Sequence, residues 1–436
     1  MPILNPFLYG KPVPPKRLIG RHEAVRTVYA RLYNGESSAI VGEPHIGKTS
    51  VLQYITDESV RRTQLAEQFD RYRFVEIDCH LLASDFKPGD FWRQLLDEIK
   101  DVTADEAIKD QYHIVVQNNF GTFTLESFFK LLSANQWHIV LLIDEFEVLL
   151  DHPNFNKAEF LGALRSFAMR TDALIVITAS RVSVAELNRR SQEINPHGSP
   201  FFNNMTEVRL LPLSLKEAQL LIDSALQQGK GAVTFSPADY DFLFSVAGRH
   251  PYLLQMAAAS LYDALSDSED GARYSQAMRI FQDRSDAHFQ DFWRHLVPTE
   301  QRALLLLALA QYRGFVDGRS FDLEQIGKLE WYAPDLRHLR DLGIVESVTP
   351  DTPGSISWLG ENWRIAANGI IPWLMDTIVA GSRDATDFDK WLKDKEFQGL
   401  LTNEESAKLR EVGREVSKGA VSLAGDFVRT VLFKKI

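Results

Sequence analysis

The sequence predicts a three-layer α/β domain built on a parallel sheet, followed by a helical lid, a winged helix and a helical tail. Three observations carry this expectation. Short apolar runs over residues 38–41, 73–79, 138–144, 173–180 and 207–213 are separated by helix-length amphipathic stretches, the pattern of strands covered on both faces. A glycine-rich loop, GEPHIGKT, stands between the first run and a helical pattern. The third run, HIVLLIDEF, drives an apolar strand straight into two carboxylates.

The elements divide the chain into an extended Pro-rich segment (1–16), a nucleotide-binding domain (17–213), a lid (214–288), a winged helix (289–382) and a tail (383–436). In the lid, SLKEAQLLIDSALQQ and SPADYDFLFSVAG show helical spacing behind serine starts. TEQRALLLLALA, LEQIGKLEW and PDLRHLRDLGIVESV then lead into the alternating ISWL and WRIA. Three helices followed by a short hairpin is the order of a winged helix. Thr402 with Glu405 three residues on marks a capped start for a long amphipathic helix in the tail.

Composition narrows the class. A chain of 436 residues, 45% hydrophobic and 25% charged, buries more than one core. Its longest apolar stretches, such as 303–310, fall well short of the roughly 20 residues that cross a bilayer. Prolines interrupt the opening MPILNPFLYGKPVPPKRLIG where a signal peptide needs an apolar core, so a cytoplasmic location is expected. The single cysteine, Cys79, ends an apolar run and is expected to be buried and unreactive. A net charge of −11 disfavours a chain whose main task is gripping nucleic-acid phosphates.

The loop Gly42, Glu43, Pro44, His45, Ile46, Gly47, Lys48, Thr49, with Ser50 after it, fits G-x-x-x-x-G-K-[ST] in the strand–loop–helix setting that the motif requires. Gly42 and Gly47 let loop amides approach phosphate oxygens, and the helix opening near Lys48 adds its positive end. Lys48 is expected at the β- and γ-phosphates, and the Thr49 hydroxyl on Mg²⁺. Carboxylates ending a buried strand are costly unless they meet a cation or a polarised water. Asp144 is therefore expected to hold the Mg²⁺ through water, and Glu145 to orient or deprotonate the attacking water. ALIVITASR offers Thr178, Ser180 and Arg181 at a neighbouring tip, with Arg181 the candidate sensor of the γ-phosphate. ATP or a close relative, with Mg²⁺, is thus the expected ligand, and phosphoanhydride hydrolysis the expected reaction; a preference for adenine is implied only by the family resemblance that follows.

These residues resemble a known group. RLIGRHEAV resembles the hhGRxxE box of STAND-class signalling ATPases and of origin-recognition-type AAA+ proteins, both of the ASCE division. AGRHPYLLQ is similar to their lid G-x-P element, LLPLSLKEA to the entry of that lid, and NPFLYGKPVPPKRLIGR to bacterial STAND-like ATPases. The resemblance covers residues 5–375. It implies that the backbone of Ile19, Gly20 and Arg21 contacts adenine and that Pro251 packs on the base. It further implies a slow regulatory switch in which ADP holds lid and winged helix closed and ATP releases them, often into an oligomer. Two departures stand out. RIAANGIIPWLMD carries Asn368 where NLR-type relatives place a histidine, and the sequence ends soon after the winged helix, so sensing or output is expected in the tail or in another protein.

The remaining candidates read blandly. His45 is expected at the lip of the loop, and His250, His295 and His338 stand outside any metal-ligand spacing. The tail places Leu409, Val412, Val416, Ala420, Leu423, Phe427 and Val431 on one helical face, which suits docking on its own protein or a subunit, with a membrane surface as the rival. Two rivals to the switch stand. One is a DNA-associated AAA+ ATPase of the origin-loading or transposition-regulator kind; Asp335 and Asp341 offset Arg337, His338 and Arg340 in its would-be reading helix. The other is a nucleotide-dependent scaffold, which an intact Lys48, Asp144 and Glu145 argue against.

Overall fold

Alternate residues of the predicted strands at 138–144 and 173–180 face two different cores, which is why those runs are largely apolar. The computed structural model describes residues 5–100, 103–196, 200–229, 233–267, 273–311, 333–349, 356–358 and 361–381. They fall into two units: one from Pro12 to Leu210, the other made of the N-terminal residues to Lys11 and the chain from Leu211 onward.

The first unit runs α1 (His22–Tyr33), β1 (Ser38–Val41), α2 (Lys48–Thr56), α3 (Glu58–Leu65), β2 (Tyr72–Asp78), α4 (Pro88–Lys100), α5 (Glu106–Gln117), α6 (Thr122–Ala134), β3 (His138–Asp144), α7 (Phe146–Asp151), α8 (Ala158–Arg170), β4 (Leu174–Ser180), α9 (Val184–Ile194) and β5 (Thr206–Arg209). Its strands form one parallel sheet in the order β2-β3-β4-β1-β5. Ile139, Leu141, Ile143, Leu174 and Val176 share one core with Phe91, Trp92, Phe129, Phe160 and Phe167. Val140, Leu142, Ile175 and Ile177 share the other with Val25, Tyr29, Val51 and Ile55. Each such side chain contributes about 1.5–3 kcal/mol relative to exposure, so the middle of the sheet is a rigid mount for whatever its strand ends carry. This is the three-layer α/β arrangement that the sequence predicts.

Several strand limits differ from expectation. β5 ends at Arg209 rather than at 213, because its partner β1 offers only four residues and pairs with Thr206–Arg209. One further bond, Leu210 N–H to the Val41 carbonyl at 2.7 Å, closes the ladder before Pro212, which has no N–H to give. β2 starts at Tyr72 and ends at Asp78 rather than Cys79, since the Asp78 carboxylate accepts the His80 amide and opens a turn. Cys79 is buried as expected, and burial pushes its thiol pKa far above the ordinary range.

The second unit contains α10 (Leu215–Gln228), α11 (Pro237–Ala247), α12 (Pro251–Asp267), α13 (Arg273–His295), α14 (Pro298–Gln311), α15 (Ala333–Asp341), β6 (Val345–Val348), β7 (Ile356–Trp358), β8 (Glu361–Ile365) and α16 (Ile370–Gly381). Both serine starts are real: Ser214 with Glu217 and Ser236 with Asp239 form reciprocal capping boxes. The expected hairpin is a three-stranded antiparallel sheet, β6-β8-β7, because the VESV of GIVESV pairs with β8 instead of continuing α15. The helix expected over LEQIGKLEW lies outside the described residues, as does the tail with Thr402 and Glu405.

The N-terminal segment, expected to be one extended piece, is divided between the units at Lys11 and Pro12. Asn5 donates to the Ala259 carbonyl at 2.9 Å and to Asp263 at 2.8 Å, and Phe7 stacks on Phe235 with centroids 6.0 Å apart. Among the described residues no helix is long and apolar enough to cross a membrane. Removing the cap of α10 with Ser214→Ala should cost about 1 kcal/mol locally; hydrogen exchange at the Glu217 amide should accelerate while amides of β3 keep their protection.

Candidate nucleotide site

β1 delivers the glycine-rich loop to the C-terminal edge of the sheet. The Gly42 N–H bonds the Ser180 carbonyl at 3.1 Å, so the loop begins pinned to the end of β4. A Cβ on Gly42 would stand 2.8 Å from Ile46 Cγ2 and 3.1 Å from the Leu210 carbonyl oxygen, so close packing admits only glycine there. Gly47 is required for another reason: its φ of 105° is one that L side chains rarely adopt. His45, at φ 63°, is exposed at the lip as expected, while Glu43 and Pro44 are half-buried.

Ile46 is buried and anchors the loop from beneath. Arg21 is buried too, and its guanidinium donates to the Ile46 carbonyl at 2.9 Å. The side chain of the GR pair thus braces the loop, a role that the expectation of a backbone contact to adenine missed. Ile19 and Gly20 precede it, Gly20 with a φ of 74°. Ser50 is likewise engaged: its hydroxyl accepts the Val13 N–H at 3.1 Å.

Lys48 is 5% exposed, and its ammonium donates to the carbonyls of Gly42 at 2.9 Å and Glu43 at 3.2 Å. It opens α2, whose free N–H groups favour an anion. The next residue joins the two motifs. Thr49 Oγ1 donates to Asp144 Oδ2 at 2.7 Å, across 95 residues of sequence. A hydroxyl and a carboxylate oxygen in contact are hard oxygen donors of the kind that suits Mg²⁺. No cluster of three or more His, Cys, Asp or Glu side chains suited to a metal occurs among the described residues.

Burial pushes the Asp144 carboxyl above its ordinary range, opposed by the Thr49 hydroxyl, the Glu145 amide and the Lys48 ammonium. Glu145 is also raised, first by burial and then by Glu147 and Asp144, with Lys48 opposing. Its backbone is left-handed, φ 51°, at the junction of β3 and α7. A non-glycine residue held there is unusual and typical of functional turns.

β4 lies between β1 and β3, so its tip stands between loop and acid pair. Thr178 is fully buried and pairs in register with Ile143 and Ala39, two residues before that tip; it belongs to the sheet rather than to the site edge where its strand was read as ending. Ser180 is buried and its hydroxyl accepts the Val182 N–H at 3.1 Å. Arg181 reaches the surface with its side chain 41% exposed. Its N–H donates to Glu147 Oε1 at 3.0 Å, and its Nε lies 3.5 Å from the same oxygen. Glu147 went unnoticed in the sequence, although a third acid in DEFE was its signal. Pro251 opens α12 in the other unit, after Gly248 ends α11 at φ 58°.

Taken together, a phosphate-cradling loop, a buried Lys, a Thr–Asp pair and a strand-end glutamate define a P-loop nucleoside triphosphatase. The chain belongs to the Novel STAND NTPase 2 family, whose model matches residues 33–312. No curated protein sequence matches it. The ORC2 protein of Aeropyrum pernix, solved in ADPNP–ADP complexes, is similar in fold at 15% identity, with a TM-score of 0.51 over 89% of this chain and 98% of that one. A Walker-type ATPase of Pyrococcus abyssi aligns at 14% identity and TM-score 0.48, over 85% of this chain and 99% of that one.

Gly42→Ala should displace the loop and lower nucleotide affinity by roughly tenfold or more, the equivalent of about 1.4 kcal/mol. Titration with a fluorescent nucleotide checks this, and wild-type affinity would show that the tight packing at Gly42 is not needed.

Proposed function

We propose that the chain binds ATP with Mg²⁺, hydrolyses it slowly, and uses nucleotide state to switch conformation, assembly or partner engagement. The 2.7 Å contact between Thr49 and Asp144 carries the reading, because it brings the phosphate loop and the acid pair to one point. Lys48 neutralises the β- and γ-phosphates, Thr49 and Asp144 hold the ion, and Glu145 takes the proton of the attacking water. When bound, Mg²⁺ would supply neutralisation of phosphate charge. Arg181 stands at the strand tip as the group that senses the γ-phosphate. Ile19, Gly20 and Pro251 are proposed for the adenine on the family resemblance alone. ADPNP and ADP in the Aeropyrum protein of similar fold support an adenine nucleotide.

The DNA-binding alternative draws less support. On α15 His338 bonds Glu300, and Arg340 lies 3.5 Å from Asp341, so cations of the expected reading helix are partly answered from within. A protein partner or a second copy is the proposed output of the switch. Mass measurement with ADP and then with a non-hydrolysable ATP analogue tests it: a nucleotide-dependent change in assembly is expected, and one constant monomeric mass demotes the assembly form of the switch. Glu145→Gln should leave nucleotide affinity within about twofold while turnover falls roughly 100-fold or more. Turnover equal to wild type would remove Glu145 from the base role.

A further inference from the structure

Glu147 lies outside the acid pair, yet it is only 3% exposed. α7 holds it rigidly, since Phe146, Leu149 and Leu150 on either side of it are buried in the core and Phe146 stacks on Phe201. A carboxylate kept this deep is unfavourable unless something uses its charge. Its Oε1 takes both the Arg181 amide at 3.0 Å and the approach of Arg181 Nε at 3.5 Å. Its Oε2 is buried with no hydrogen-bond partner among the described residues. A backbone amide needs only a neutral acceptor; the guanidinium is what a full negative charge serves, and its planar fork can use both oxygens.

We propose that Glu147 is a positioning residue for Arg181, fixing where the guanidinium stands at the tip of β4 so that it meets the phosphoryl group in transfer. The inference rests on the hydrolytic reading above. β4 sits between the loop strand and the acid strand, so a clamp from α7 to the end of β4 ties the sensing cation to the segment that carries Asp144 and Glu145. Position is then shared by the cation and the acid pair instead of being left to a surface arginine.

Glu147→Gln separates the two jobs, because the amide oxygen still accepts the Arg181 N–H while the charge is gone. In the full-length protein with ATP and Mg²⁺, Glu147→Gln should lower kcat by about tenfold or more and leave KM within about twofold. In an Arg181→Ala background the same change should cost nothing further, since the clamped group is absent. Wild-type kcat in Glu147→Gln, or losses that multiply in the double variant, would overturn the proposal. Should Glu147→Gln fail to fold, Arg181→Lys serves instead: it keeps the charge and loses Nε, and an undiminished kcat there would also overturn it. A wild-type chain that binds ATP without hydrolysing it would instead remove the hydrolytic reading, and a Glu145→Gln control that abolishes turnover keeps the two failures apart.

Discussion

The hydrogen bond between Thr49 and Asp144 is the contact on which the remaining architecture converges. Neither residue reaches the other through local structure: one opens a helix after β1, the other ends β3, and β4 lies between those strands. Their meeting requires that the three strands keep a common register, with Val41 beside Ser180 and Ile143 beside Thr178. The two cores supply that register by burying alternate residues of each strand, so a slip of one residue would exchange the faces of the whole strand. Hydrophobic packing well away from the edge thus sets the geometry of a polar contact at the edge.

Placing β4 in the middle also explains why the site is assembled from separate segments. Gly42 bonds the carbonyl at the end of β4, and Glu147 bonds the amide that follows it. Loop and acid strand are each fastened to the same strand exit from opposite sides. The left-handed Glu145 sits between Asp144 and Phe146, and its unusual backbone redirects the chain from β3 into α7. Arg21 braces the loop from the back through the Ile46 carbonyl. On the proposed reading, these fastenings limit the reorganisation that catalysis would otherwise need when nucleotide binds.

Much of this was legible in the sequence because the pertinent signals are local. Glycine spacing, the helix after Lys48 and an apolar run ending in Asp144 and Glu145 each lie within ten residues, and serine starts announced both capping boxes of the lid. Strand ends were less legible: β5 is as long as β1 allows, and β1 lies more than 160 residues upstream, so LLPL reads as strand until its partner is known. The brace from Arg21 and the bond from Val13 to Ser50 were hidden for the same reason. GRxxE shows an arginine, not the carbonyl that it will find. Glu147 was overlooked because an acid two residues past a catalytic pair looks like a solvent-facing helix start, and only burial distinguishes it.

Charge gives the site a further constraint. Asp144, Glu145 and Glu147 gather at one strand end, with Asp78 in register beside Asp144, against Lys48 and Arg181. Burial raises both the Asp144 and the Glu145 carboxyls, with repulsion from Asp78 added on the first and from Glu147 and Asp144 on the second, so this edge resists added negative charge. A triphosphate brings several such charges. On the proposed reading, the divalent ion is therefore a condition of tight binding as well as of chemistry, because it offsets phosphate and carboxylate charge together. On the same reading the diphosphate brings less charge and lacks the γ-phosphate proposed for Arg181. A protein with these groups can bind its two nucleotides with different free energies, and a difference of that kind is what any nucleotide-driven switch must draw on.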